Sequence, residues 1–167
     1  SFENEDISKV SKYITNITGM LPMDNTISQL LPSGEDFHKS LLEELEKAEK
    51  FIFLEYFIIR EGEMWDSIEK ILIEKAKKGV DVRVIYDDFA CINKVKFSFK
   101  GKLIKNGIKV INFNPYRPRL TMVIYYRDHR KITVIDGNVG YVGGINIGDE
   151  YINRVQKFGY WKDASLI

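Results

Sequence analysis

Between residues 51 and 113, strand-like apolar runs alternate with amphipathic helical stretches, and this alternation constrains the fold more than any other feature. The run Phe51-Ile52-Phe53-Leu54-Glu55-Tyr56-Phe57-Ile58-Ile59 is apolar on both faces except at Glu55, as expected of a central strand covered on both sides. Trp65, Ile68, Ile71, Leu72 and Ala76 then fall at helical spacing, and Lys77, Lys78 and Gly79 end that helix favourably. Val80 to Tyr86 reads as the next strand and stops at Asp87-Asp88. A further helix over residues 97–106 leads through Gly107 into a strand over 108–113. Strand, helix, strand, helix, strand predicts right-handed crossovers and a parallel core. Upstream, Ser33-Gly34-Glu35-Asp36 supplies a helix N-cap, and Phe37, Leu41, Leu42, Leu45 and Ala48 share one face of the helix that follows.

Downstream, two β-rich runs meet across Asp136-Gly137-Asn138, a hairpin signal that attaches an antiparallel portion. The expected class is therefore α/β, a sandwich with a mixed, mainly parallel sheet in a single lobe. Residues 1–28 form a leader, loosely packed or carrying a short amphipathic helix through Ile7, Val10, Tyr13, Ile14 and Ile17. Residues 29–167 form the domain proper.

Composition closes several doors. Hydrophobic residues are 44% and charged residues 29% of the 167, an ordinary globular balance. The net charge of +1 gives no global basic field, so no nucleic-acid partner is expected. Cys91 is the only cysteine, which excludes an internal disulfide framework. With only His38, His129 and Cys91 as soft ligands, no metal site is expected, nor any cofactor. No stretch approaches the length of an apolar membrane span, so the chain as given is expected to be soluble.

The chemistry concentrates in Tyr126-Arg127-Asp128-His129-Arg130-Lys131. Side chains alternate along a strand, so His129 and Lys131 share a face. An imidazole beside an ammonium suits a phosphodiester: the lysine neutralises a phosphoryl oxygen while the histidine attacks phosphorus or moves a proton. Asp136, at odd separation from His129, sits at the hairpin turn as a geometry-setting or purely structural residue. Gly143-Gly144-Ile145-Asn146 offers a turn whose N–H groups, with the Asn146 amide, can bind phosphoryl oxygens. Glu55, in its apolar strand, requires the site or a partner among Arg127, Arg130 and Lys131. Asp87-Asp88 stands where open sheets place ligands, or else caps the next turn. His38 is expected to be structural. Arg117, Arg119, Arg127 and Arg130 flank the apolar residues 120–126, as an anionic-lipid surface or as an amphipathic hairpin.

The ordered pattern His-x-Lys-x4-Asp-x6-Gly-Gly-x-Asn, carried by His129, Lys131, Asp136, Gly143, Gly144 and Asn146, resembles the phospholipase D superfamily signature. Phe53-Leu54-Glu55-Tyr56-Phe57, Gly79-Val80-Asp81-Val82-Arg83, Gly148-Asp149-Glu150-Tyr151 and Trp161-Lys162-Asp163 narrow the resemblance to bacterial cardiolipin synthases, from about residue 28 onward. It implies a phospholipase D-like α/β/α sandwich and ping-pong transfer through a phosphohistidine. It makes His129 the nucleophile, Lys131, Asn146, Gly143 and Gly144 the phosphate cradle, and Asp136 a member of the catalytic motif. Asp163 would orient a catalytic imidazole, with Glu55 and Arg127 in support. The substrate implied is phosphatidylglycerol, two molecules giving cardiolipin and glycerol, at the cytoplasmic membrane in the full-length protein. Gly144 replaces a serine common in the superfamily, a subfamily mark. The chain holds one motif where such enzymes use two, so the other is expected from a second lobe or a second copy, and the isolated chain is expected to be inactive. Two other functions fit the same residues: a phospholipase D or phosphodiesterase, with water as acceptor, and a non-catalytic lipid-binding half-domain.

Overall fold

The computed structural model describes residues 4–23, 25–116, 126–157 and 159–167. A seven-stranded mixed sheet organises them: β1 (Leu30–Leu31), β2 (Phe51–Tyr56), β3 (Asp81–Asp87), β4 (Lys109–Phe113), β5 (Lys131–Ile135), β6 (Val139–Gly143) and β7 (Ser165–Leu166) lie side by side in the order β1-β7-β6-β5-β2-β3-β4. β2, β3 and β4 run parallel, joined through α3 (Glu63–Lys77), the single turn α4 (Asp88–Cys91) and α5 (Phe99–Lys105). β5 lies antiparallel to β2 and turns into β6. Asp136 and Gly137, at φ 54° and 78°, make the predicted tight turn. β1 and β7 complete the other edge, antiparallel to each other. The parallel part is thus the helix-connected half, and the hairpin half is wholly antiparallel.

Period-2 burial explains the layers. Ile52, Leu54 and Tyr56 of β2, Val82, Val84 and Tyr86 of β3, and Thr133 and Ile135 of β5 are buried on one face. α2 (Gly34–Lys47) brings Phe37, Leu41 and Leu45 to this core, and α3 and α5 bring Trp65, Ile68, Leu72, Phe99 and Leu103. Ser33 caps α2 as expected, accepting from the Asp36 N–H at 3.1 Å. The other face corrects the expectation that residues 51–59 are covered on both sides. Phe51, Phe53, Glu55, Ile85, Ile132 and Val134 are only half-buried, and Ile111 and Val142 are exposed. These residues partly cover one another: Phe51 and Phe53 stack at 4.5 Å, and the Arg83 guanidinium lies 4.6 Å over Phe53.

α1 (Glu5–Thr18) is capped by Asn4 and closed by Gly19 at φ 71°. None of its residues is buried, so Ile7, Val10, Tyr13, Ile14 and Ile17 remain an exposed stripe. Gln29 is tied to the sheet through paired bonds with Ile167. The predicted lipid-facing residues Arg117, Arg119 and 120–125 lie outside the described residues.

Candidate active site

The parallel strands β2, β3 and β4 end at one edge of the sheet, and antiparallel β5 begins there. In register, Tyr56 at the end of β2 faces Lys131 at the start of β5, and the Phe57 N–H extends the pairing to the Arg130 carbonyl at 3.0 Å. Ligand crevices in open α/β sheets lie beyond such carboxyl ends.

His129 precedes β5 by two residues and is exposed, with its ring packed on Phe57 at 4.6 Å between centroids. The Lys131 ammonium lies 5.2 Å over the same ring and donates to the His129 carbonyl at 2.6 Å. His129 and Lys131 are therefore brought together at one aromatic ring, although His129 lies outside the strand. Burial pushes the Lys131 pKa down, and the charges of Asp163 and Asp128 partly oppose that shift.

Asn146 reaches the same step of the chain. Residues 144–148 run beside 58–60: Ile147 N–H donates to the Ile58 carbonyl, and Arg60 N–H to that of Ile147. The Asn146 Oδ1 accepts from the Ile58 N–H at 3.0 Å, which leaves its Nδ2 as the group available to donate, 3.4 Å from the Tyr151 hydroxyl. His129 and Lys131 meet on Phe57 while Asn146 is pinned on Ile58, so the three polar residues gather at consecutive backbone positions. The next residues are fixed from afar. Asp149 accepts from the Glu63 and Met64 N–H groups at 3.0 and 2.8 Å, capping α3, and Glu150 pairs with Arg60 at 3.0 Å.

The glycines play a different part from the one expected. The Gly144 N–H is not free; it donates to the Ala164 carbonyl at 3.1 Å, and Gly143 is paired in β6 opposite Ser165. What these positions need is room. A Cβ on Gly143 would lie 2.6 Å from Ala164 O and Ser165 Cα, and one on Gly144 would lie 2.2 Å from Asp163 Oδ1. Their lack of side chains lets residues 163–165 close onto the end of β6 and brings Asp163 within electrostatic reach of Lys131.

Asp136 is not brought to the other motif residues. It lies beyond the far end of β5, roughly 17 Å of extended chain from Lys131. Its carboxylate accepts from Glu49, Lys50 and Phe51 N–H, each at 2.8 Å. Burial alone would raise its pKa, but these three donors outweigh burial and hold it below the ordinary carboxylate value.

Glu55 finds Arg130 at 2.7 Å, and Arg130 also holds Asp128 at 2.8 Å. Burial and the hydrogen bond with Asp128 raise the Glu55 pKa, while Arg130 opposes. For Asp128, burial would raise it, yet the bonds from Arg130 and Glu55 prevail and lower it. The two carboxyls are thus pushed apart, Glu55 upward and Asp128 downward. Glu55 pairs in register with Ile132, next to Lys131 in β5, so strand alternation puts Glu55 on the face opposite Lys131, while the Asp128 charge still reaches Lys131. Arg127 pairs with Asp87 at 3.3 Å. His38 bonds to Ser67 at 2.8 Å, a structural contact. Sequence reasoning did not name Phe57 or Tyr151 as parts of the site, although both fall in phrases that carry the family resemblance.

The architecture recurs in solved structures. Phosphatidylserine synthase of Haemophilus influenzae Rd KW20 superposes with a TM-score of 0.64 at 19% identity, over 95% of this chain and 36% of that one. Nuc of Salmonella typhimurium, a phospholipase D family member, superposes with a TM-score of 0.61 at 17% identity, over 84% and 80%. The fold is a phospholipase D fold.

The family is closer still. The family model described as cardiolipin synthase, PLD-like domain, matches residues 41–158, and the chain belongs to that family. A cardiolipin synthase of Geobacillus sp. strain WCH70 is 46% identical over 142 residues, 84% of this chain and 28% of that protein. The chain spans about a third or less of the length of the curated relatives it matches. Among the described residues no helix is long and apolar enough to cross a membrane, and no cluster of His, Cys, Asp and Glu could hold a metal ion.

Proposed function

We propose that residues 29–167, behind a leader of 1–28, supply one half of an active site that transfers a phosphatidyl group between two phosphatidylglycerol molecules, forming cardiolipin and releasing glycerol at the membrane. The observation that carries this reading is the convergence of an exposed imidazole, a largely buried ammonium and a donor amide on Phe57 and Ile58. In the first step a neutral His129 nitrogen attacks phosphorus. The P–N bond forms as the P–O bond to glycerol breaks, and the glycerol oxygen takes a proton from an acid on the facing half-site. In the second step the hydroxyl of another phosphatidylglycerol attacks the phosphohistidine, gives its proton to that same group and frees His129. Lys131 and the Asn146 N–H groups stabilise the charge on the phosphoryl oxygens. Asp163 supports Lys131 through its charge. One chain supplies one imidazole, so a second lobe or a second copy completes the pair.

The test is His129→Ala in the full-length protein, assayed for cardiolipin from phosphatidylglycerol with expression confirmed. Removing a covalent nucleophile costs several orders of magnitude, so survival of activity within about tenfold would place the nucleophile elsewhere. A hydrolytic reading draws on the fold shared with Nuc, a phospholipase D family member. Phosphatidic acid as the main product, in place of cardiolipin, would select it.

A further inference from the structure

The shortest helix among the described residues, α4, ties together the two segments that hold His129. At the start of α4, Asp87 is fully buried and its Oδ1 accepts from the Ala90 N–H at 2.9 Å, capping the turn. The same carboxylate accepts from the Asp128 N–H at 3.1 Å through Oδ2, and from the Arg127 guanidinium at 3.3 Å through Oδ1. Asp128 is the residue immediately before His129. At the end of α4, the Cys91 sulfur accepts from the Ile59 N–H at 3.2 Å and donates to the Phe57 carbonyl at 3.7 Å. Phe57 is the ring on which His129 packs. Burial pushes the Cys91 pKa up to about 11, so it stays a thiol and keeps its donor.

We propose that Asp87 is a positioning residue for His129: by clamping Arg127 and Asp128 to α4 it sets the imidazole against Phe57. The proposal rests on the reading of His129 as the reacting group. A helix cap needs one oxygen, and serine or asparagine would supply it. Asp87 uses both oxygens, and the second goes to the backbone of the His129 segment. A buried carboxylate without such partners would be strongly destabilising, so the guanidinium and the two N–H groups are what make its burial tenable. Small errors in placing a nucleophile are costly, because in-line attack tolerates little misalignment.

The experiment uses the full-length protein with Asp87→Asn, which keeps one acceptor oxygen and the side-chain size but cannot satisfy both the cap and Asp128. Turnover of phosphatidylglycerol is expected to fall by roughly 10- to 100-fold in kcat, with KM within about twofold. Combining it with Arg127→Gln should be no worse than the poorer single variant, since both break one clamp. A second readout does not depend on activity. Carbethoxylation of His129 by diethyl pyrocarbonate, resolved by peptide mass spectrometry against His38, should change severalfold in Asp87→Asn as the ring leaves Phe57. Unchanged kcat together with unchanged labelling overturns the clamp, as does a double variant whose losses multiply. An altered labelling rate in a protein whose His129→Ala variant remains active would uphold the clamp and reject His129 as the nucleophile.

Discussion

The two ends of β5 carry the two ends of one sequence motif, and they have opposite chemistry. At the Lys131 end, a charged group is buried to the point of a depressed pKa, and its exposed neighbour His129 is held by an aromatic face. At the Asp136 end, every interaction is inward: three backbone N–H groups converge on one carboxylate and fasten the α2–β2 connection to the hairpin. The four residues between Lys131 and Asp136 are the remainder of the five-residue strand. The spacing therefore records the length of a strand, with the proposed reactive groups at one end and an anchor at the other. Equal standing in a motif does not imply equal roles.

The largest effect that would sharpen this comparison belongs to Lys131. Lys131→Met keeps an apolar stem on Phe57 while removing the charge. Loss of one stabilising donor at a developing oxyanion costs about 10²- to 10³-fold in kcat, and the same is expected here in the full-length protein. Thermal stability should hold or rise, since a buried charge is removed. A Lys131→Met protein that melts much earlier would make Lys131 a structural residue and erase the contrast between the ends.

Asp136 should behave in the reverse way. Asp136→Ala strands backbone donors at Glu49, Lys50 and Phe51 and is expected to cost about 2–3 kcal/mol of stability. Its activity loss should disappear when assays are run well below the lowered melting temperature. The pH dependence follows from the direction of its shift. A carboxyl whose folded pKa lies below its unfolded value of about 3.9 stabilises the fold above that value, and the contribution is lost as pH falls through the folded pKa. The stability gap between the natural protein and Asp136→Asn should therefore be widest near neutrality and close in acid. A gap that persisted at low pH would mean that the carboxylate charge is not what anchors the turn.

Much of this was legible in the sequence, for reasons particular residues make clear. The helical spacing of Trp65, Ile68 and Leu72, the cap at Ser33 and the Asp136-Gly137 turn are local signals, and each appears where expected. The proximity of His129 to Lys131 was expected from strand parity, but His129 precedes β5 and meets Lys131 at the Phe57 ring instead. What was hidden depends on distant partners. Phe51 and Phe53 are apolar whether a helix covers them or Arg83 does. The Asp149 cap of α3 joins residues 86 apart. The strands β1 and β7, two residues each, are too short for any periodicity to show. A glycine required for space also looks the same in sequence as one required for its backbone angle. Gly143 and Gly144 do not have the positive φ of Gly137, so the turn predicted there is really a close approach.

That distinction supports the smallest and most selective change. In Gly144→Ala the new methyl would meet the Asp163 carboxylate at 2.2 Å, and a short side chain can rotate away without unfolding anything. Stability is expected to change by less than about 1 kcal/mol, within the range of ordinary single substitutions. The consequence falls on Lys131, whose pKa Asp163 raises against the effect of burial. With Asp163 displaced, burial acts with less opposition, the ammonium loses its proton at lower pH, and the alkaline limb of the activity profile moves down. Asp163→Asn should shift that limb in the same direction without touching the glycine. Gly140→Ala is the matching control in the same strand, since a Cβ there meets nothing within 4 Å, and it should leave the profile where it was. If Gly144→Ala shifted the limb upward, or Gly140→Ala moved it equally, Asp163 would not be the charge that Lys131 feels, and the close approach of residues 163–165 would serve packing alone.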